Sequence, residues 1–233
     1  MTDIGWGPVL SESEGYGRLG DNSDDYTLLT HQDIDKLARA GYKPHQHASH
    51  GMIFFRKQNK LWDLYEQKGF AMMQMRFDGT LGFPGGLMDE GEAPIQCLNR
   101  ELHEEIGLDL TKHAFSDDER IASYLHEGKN LVLHFYLKEV SAEEFFALET
   151  NTLHAPEYGI ETLGIIRVPL FTMGDGLRGF PAFLTNHFAG NARSELITGL
   201  MAAKLFTQED MEKAIKAYKD FIKNRSLIEN MLE

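Results

Sequence analysis

Gly86-Leu87-Met88-Asp89-Glu90-Gly91-Glu92-Ala93-Pro94-Ile95-Gln96-Cys97-Leu98-Asn99-Arg100-Glu101-Leu102-His103-Glu104-Glu105-Ile106-Gly107-Leu108 is the stretch on which the fold of this chain turns. Pro94 suits the first turn of a helix, where its missing N–H leaves no bond unmade, and the pattern predicts a helix over 94–106. Ile95, Leu98, Leu102 and Ile106 recur at three- and four-residue spacing, an apolar stripe able to bury against a sheet. The other face is acidic. Glu101, Glu104 and Glu105 lie three and four residues apart, so their carboxylates project into one space, where they repel one another.

A hard divalent cation removes that conflict. Mg2+ or Mn2+ prefers oxygen ligands and commonly completes its shell with water and substrate phosphates, so the implied substrate is a polyphosphate. Such a metal would neutralise phosphate charge and acidify the attacking water, with a carboxylate placed to take the proton. The chemistry that follows is phosphoanhydride hydrolysis. A solvated acidic helix face is the plain alternative for a lone Glu-Glu pair, but a motif of fixed residues at set spacing on a helix argues against it.

Working outward, residues 50–56, 70–76, 120–126 and 130–138 have strand-like length and composition, and Phe77-Asp78-Gly79-Thr80 carries a hairpin-turn signal. Helical patterns occur at about 94–106, 141–149, 191–204 and 208–224, with an extended stretch over Leu163–Phe171. A short amphipathic helix over Thr30–Ala40 is stopped by Gly41. Strands interleaved with helices predict an α/β fold, a mixed sheet sandwiched between helices. Residues 1–28, rich in Gly, Ser and Asp, read as a flexible acidic extension, and 29–233 as one domain ending in a helix. That last helix carries Met211, Ile215, Tyr218 and Ile222 on one face. Packing on the core is the first reading of that face, and a homodimer contact is the alternative.

The net charge of −13 argues against a broad basic surface gripping a nucleic-acid backbone, so any RNA contact is expected to be local. Residues 1–35 hold eight acids against one Arg, which leaves the remainder less acidic than the total suggests. Apolar runs are far shorter than the roughly 20 residues a bilayer span needs, and the N-terminus lacks a secretory pattern. No membrane association is expected, and synthesis should end in the cytosol or nucleus. The single cysteine, Cys97, agrees with a reducing compartment and reads as a small buried helix residue.

The quoted stretch resembles a complete Nudix box: Gly86, then Glu92, then Arg100-Glu101-Leu102-His103-Glu104-Glu105-Ile106-Gly107-Leu108, with every fixed position matched. Ala71–Gly86, Gly164–Leu170, Phe183–Asn186 and Ala192-Arg193 are similar to the branch of that family that decaps a small nucleolar RNA and hydrolyses inosine diphosphates. The resemblance covers roughly 45–205. It implies that His50, Arg76 and Phe83 hold the nucleotide and that the Gly85 carbonyl is a metal ligand. Glu101 and Glu105 would bind metal, with Glu104 in the same cluster and His126 near a further metal position. Glu195 aligns with a base-contacting glutamine, and Glu92 and Arg100 would support the catalytic glutamates. It further implies capped RNA and nucleoside diphosphates as substrates, and a nuclear or nucleolar as well as cytoplasmic location.

Read from the residues alone, Phe83 before the Pro84-Gly85 turn could stack on a base or sit in the core, and Arg76 could meet a phosphate or end a strand. His45, His47 and His50 lack other clear ligands nearby and read as hydrogen-bonded or solvated histidines. Two rivals to decapping stand beside it. One is a hydrolase acting on ADP-ribose, nucleotide cofactors or ADP-ribosylated protein; the other, of a different class, is a non-catalytic RNA-binding module of the same fold.

Overall fold

Successive strand residues point to opposite faces of a sheet, and Met52-Ile53-Phe54-Phe55 shows what that does here. Met52 and Phe54 enter one apolar core, with Phe135, Leu196 and Leu200, while Ile53 and Phe55 enter a second, with Leu98, Leu102 and Phe145. Both faces of the sheet are therefore covered. The computed structural model describes the backbone of residues 25–232 and side chains to residue 224. Most of the extension expected over 1–28 lies outside the described residues.

In chain order the elements are β1 (Thr27–Leu28), α1 (His31–Arg39), β2 (Gln46–Leu61), β3 (Tyr65–Arg76), β4 (Leu81–Gly82), β5 (Gly85–Leu87), α2 (Pro94–Ile106), α3 (Leu110–His113), β6 (Arg120–His126), β7 (Leu131–Glu139), α4 (Ala142–Asn151), β8 (Thr162–Pro169), α5 (Phe180–Phe183), α6 (Ala192–Ala202) and α7 (Gln208–Leu232). The sheet is mixed and runs β1-β6-β7-β2-β3-β4. β2 is its axis. It pairs in parallel with β7, antiparallel with β5 over Ala48–His50, and antiparallel with β3 from Phe54 on. β8 lies on the other edge of β3. The predicted mixed sheet between helices is what forms, with α2 and α4 against one face and α6 and α7 against the other.

The helix predicted over 94–106 is α2, with Pro94 in its first turn and Gly107 closing it at φ 67°, a left-handed conformation that suits glycine. The Asp78-Gly79 signal also forms its turn: Gly79 has φ 81°, and β3 pairs with β4 through Met75 and Leu81. β2 and β3 are longer than their patterns suggested. They continue as a hairpin to Trp62 and Asp63, whose φ of 53° and 59° make a primed turn without the usual Asn-Gly. The face of α7 bearing Met211, Ala214, Ile215 and Tyr218 packs on the core. Among the described residues no helix is long and apolar enough to cross a membrane.

Candidate active site

β5 is short, but its register decides where the acidic helix meets the sheet. Gly85 lies opposite His50, and a side chain there would put its Cβ 2.0 Å from the Ser49 carbonyl oxygen, at a φ of 139°. Only glycine allows this approach. The Gly85 N–H then donates to Glu105 Oε2 at 2.6 Å. Gln74 Nε2 donates to Glu105 Oε1 at 3.0 Å, and Gln74 is itself fixed by Thr162 Oγ1 at 2.9 Å. Gly86 serves Glu101 in a different way, because a Cβ there would fall 2.6 Å from that carboxyl group. The two glycines thus seat two carboxylates.

Burial pushes Glu105 up to about 8, against the opposing pull of the Gly85 and Gln74 hydrogen bonds. It likewise pushes Glu101 up to about 7, against the attraction of Arg100. Arg100 spreads its fork over the whole motif. Its Nε donates to Glu92 Oε1 at 2.8 Å, one terminal nitrogen to Glu101 Oε1 at 2.7 Å and Glu104 Oε2 at 3.1 Å, and the other to Glu92 Oε2 and the Leu87 carbonyl. These charge-assisted bonds hold Glu92 below the usual carboxylate range.

Two further carboxylates arrive from the segment between α4 and β8. The Glu157 N–H donates to the Glu104 carbonyl at 2.9 Å, tying that segment to α2. Oxygens of Glu101, Glu104 and Glu157 lie within 4.8 Å of one another, as do those of Glu105, Glu157 and Glu161. Burial and the neighbouring Glu161 and Glu104 raise Glu157 above its ordinary value. An all-oxygen donor set whose members resist ionising together fits a hard divalent cation. The sequence pattern missed Glu157 and Glu161, which lie some fifty residues beyond the box on a connecting segment with no periodicity of its own.

These groups border a cavity of about 360 Å³. His50, Arg76, Phe83, Gly85, Arg100, Glu101 and Glu104 line it as a set, with Glu105 bonded just behind Gly85. Arg76 lies across Gly82, where a Cβ would come within 2.8 Å of its chain. Phe83 lines the cavity yet is only 2% exposed, its ring centroid 5.1 Å from that of Phe135. Glu195, in the first turn of α6, is fully buried and accepts from His50 Nδ1 at 3.1 Å. His126 stands apart from the carboxylate groups, at the end of β6, where its Nδ1 accepts from the Lys129 N–H at 3.1 Å. Ala189, Gly190 and Asn191, just ahead of α6, also line the cavity, and the sequence had singled out neither Ala189 nor Gly190.

Residues 47–206 match the family model described as Nudt16-like, U8 snoRNA-decapping enzyme-like. The U8 snoRNA-decapping enzyme of Homalodisca vitripennis is 47% identical over 183 residues, 78% of this chain and 95% of that protein. The U8 snoRNA-decapping enzyme of Xenopus laevis is 39% identical over 185 residues, 78% of this chain and 86% of that protein. The Tudor-interacting repair regulator protein of Homo sapiens is 32% identical over 187 residues, 80% of this chain and 86% of that protein.

Proposed function

The chain belongs to the Nudt16-like family of Nudix hydrolases, and from that membership we propose that it removes caps from RNA and hydrolyses inosine and deoxyinosine diphosphates to monophosphates. The observation that carries this reading is the carboxylate cluster of Glu101, Glu104, Glu105 and Glu157 beside a nucleotide-sized cavity. The decapping enzymes at 39% and 47% identity support the RNA part of it.

Glu101, Glu104, Glu105 and Glu157 would hold Mg2+ or Mn2+, and the resemblance adds the Gly85 carbonyl. When bound, the metal supplies neutralisation of the polyphosphate and a more acidic attacking water. The remaining work falls to this chain's own groups. Arg100 orients Glu101 and Glu104 and is itself anchored by Glu92. The cavity-lining guanidinium of Arg76 is suited to a phosphate. The His50 Nδ1–H donates a hydrogen bond to the Glu195 carboxylate, and this leaves Nε2 for the nucleotide. Where the resemblance places a base-contacting glutamine, this chain thus has a carboxylate committed to orienting His50.

The test is a metal-dependent screen of capped RNA, inosine diphosphate and ADP-ribose, with Glu104→Gln as the control. Capped RNA and inosine diphosphate should turn over only with Mg2+ or Mn2+, and Glu104→Gln should remove most of that turnover while remaining folded. Preferential hydrolysis of ADP-ribose would overturn the substrate assignment. Binding of capped RNA without metal-dependent turnover would favour the RNA-binding module.

A further inference from the structure

Past the point where the sheet ends, β2 and β3 continue together. β7 partners β2 only as far as Phe54, and β8 partners β3 only from Phe70 on. Residues 57–67 are therefore a two-stranded ribbon whose outer edges carry no further strand, the Lys68 N–H at its base still donating to the Leu170 carbonyl. A bulge between Arg56 and Asn59 turns it out of the sheet, adding one residue to β2 against β3. At its tip Trp62 is 69% exposed and Leu64 68%, with the ring of Tyr65 edge-on to Trp62.

The ribbon borders a hollow whose charged lining is Arg56, Lys60, Glu66, Lys68 and Lys204, with Glu66 directly opposite Lys60 in the β2–β3 pairing. Lys57 is exposed beside it. Arg56 is paired with Glu139 and Lys68 with Asp210, but among the described residues no carboxylate lies within ion-pair distance of Lys57, Lys60 or Lys204. Cations thus outnumber the single lining acid, Glu66, in a chain whose net charge is −13. Lysines on an open edge also guard against strand pairing, which accounts for Lys57 and Lys60 alone. It does not account for Lys204, which reaches the same hollow from the turn after α6, nor for an exposed tryptophan at the tip, which invites contact.

We propose that this ribbon binds single-stranded RNA and holds the body of the capped substrate outside the catalytic cavity; the proposal rests on the RNA reading above. The cations face phosphates, the exposed side-chain amide of Asn59 offers a donor and an acceptor to base edges, and Trp62 and Tyr65 provide rings for stacking. β2 itself links the two places. His50 lines the catalytic cavity and Lys60 the ribbon hollow, ten positions along one strand, or roughly 33 Å at ~3.3 Å per residue. A nucleoside diphosphate cannot bridge that distance, whereas an RNA chain can.

The experiment compares the full-length chain with Trp62→Ala, Trp62→Phe and the triple variant Lys57→Gln/Lys60→Gln/Lys204→Gln. Affinity for an uncapped, unstructured RNA is measured by fluorescence anisotropy at several salt concentrations, and steady-state kinetics are measured on capped RNA and on inosine diphosphate. Trp62→Ala should weaken RNA binding by roughly five- to a hundredfold, the loss of one stacked base, and Trp62→Phe should restore most of it. The triple variant should flatten the slope of log affinity against log salt by about 2, at ~0.7 per phosphate. KM for capped RNA should rise with kcat unchanged, and inosine diphosphate turnover should not move. Unaltered RNA affinity in both Trp62→Ala and the triple variant overturns the proposal, as does loss of self-association in place of RNA binding, which would give the ribbon to a second copy of the chain. If capped RNA is not hydrolysed while uncapped RNA binding still depends on Trp62, the decapping reading fails and the ribbon assignment stands.

Discussion

A methyl group on Gly86 would sit 2.6 Å from the Glu101 carboxyl group, the flexible end of a side chain and not backbone. Gly86→Ala should therefore fold with Glu101 displaced. Small misplacements at a reacting centre cost about a hundredfold, so we expect kcat to fall by roughly that factor with little change in thermal midpoint; unchanged kcat in a folded variant would break the link between Gly86 and Glu101. Phe83 shows how a residue can answer two questions at once. Its sequence context left base stacking and core packing open, and its ring packs on Phe135 while lining the cavity. Phe83→Ala should lower stability by about 3–5 kcal/mol, as large-to-small core changes do, and also raise KM for inosine diphosphate. Loss of stability with KM unmoved would leave Phe83 a core residue only.

Among the elements, α2 was the most legible, because its signals agree: Pro94 at the start, Gly107 at the end, an apolar stripe and an acidic face. The β2–β3 ribbon was the least legible, since neither the turn at Trp62-Asp63 nor the exposed strand ends carry the apolar alternation that marks a half-buried strand. His47 had read as a hydrogen-bonded or solvated histidine and is the former, whereas nothing in the sequence singled out its partner His134. His47 Nε2 meets the Tyr42 carbonyl at 2.7 Å and so bears the proton; its Nδ1 accepts from His134 Nε2 at 2.9 Å, and His134 Nδ1 accepts from the Ser123 hydroxyl at 2.9 Å. This chain of neutral rings joins β2, β7 and β6. Burial holds both histidines below their ordinary 6.5. Because the unfolded chain binds these protons more readily, the stability of the neutral pair is fully present above about 6.5 and is lost as pH falls below it. His134→Gln should be less stable at neutral pH yet lose less on acidification. Parallel declines of the denaturation midpoint in both proteins would assign the acid sensitivity elsewhere.

For the whole molecule, the layered α/β architecture was readable because strand and helix periods sort apolar residues onto faces, and the two cores on either side of the sheet follow from that sorting. What sequence order hides is convergence. Glu157 and Glu161 join Glu101, Glu104 and Glu105 only after α4 folds back, and Lys204 joins Lys60 only after α6 crosses the sheet. A carboxylate cluster able to hold a divalent ion predicts that the stability of the whole fold answers to metal. Glu101 and Glu105 are buried without a matching set of cations, so a divalent ion binding the folded chain alone relieves their repulsion and stabilises that state by mass action. At a hundredfold excess over Kd the gain is about 2.7 kcal/mol, which for a chain of this size corresponds to a rise in Tm of about 5–10 °C. Glu104→Gln should keep its bond from Arg100 through the amide oxygen, leaving the metal-free Tm nearly unchanged while the metal-dependent rise shrinks. Thermal melts of both proteins with EDTA and with increasing Mn2+ measure this. An equal rise in the two would place the stabilising ion somewhere other than this cluster, and no rise in the wild type would mean that these carboxylates do not hold one.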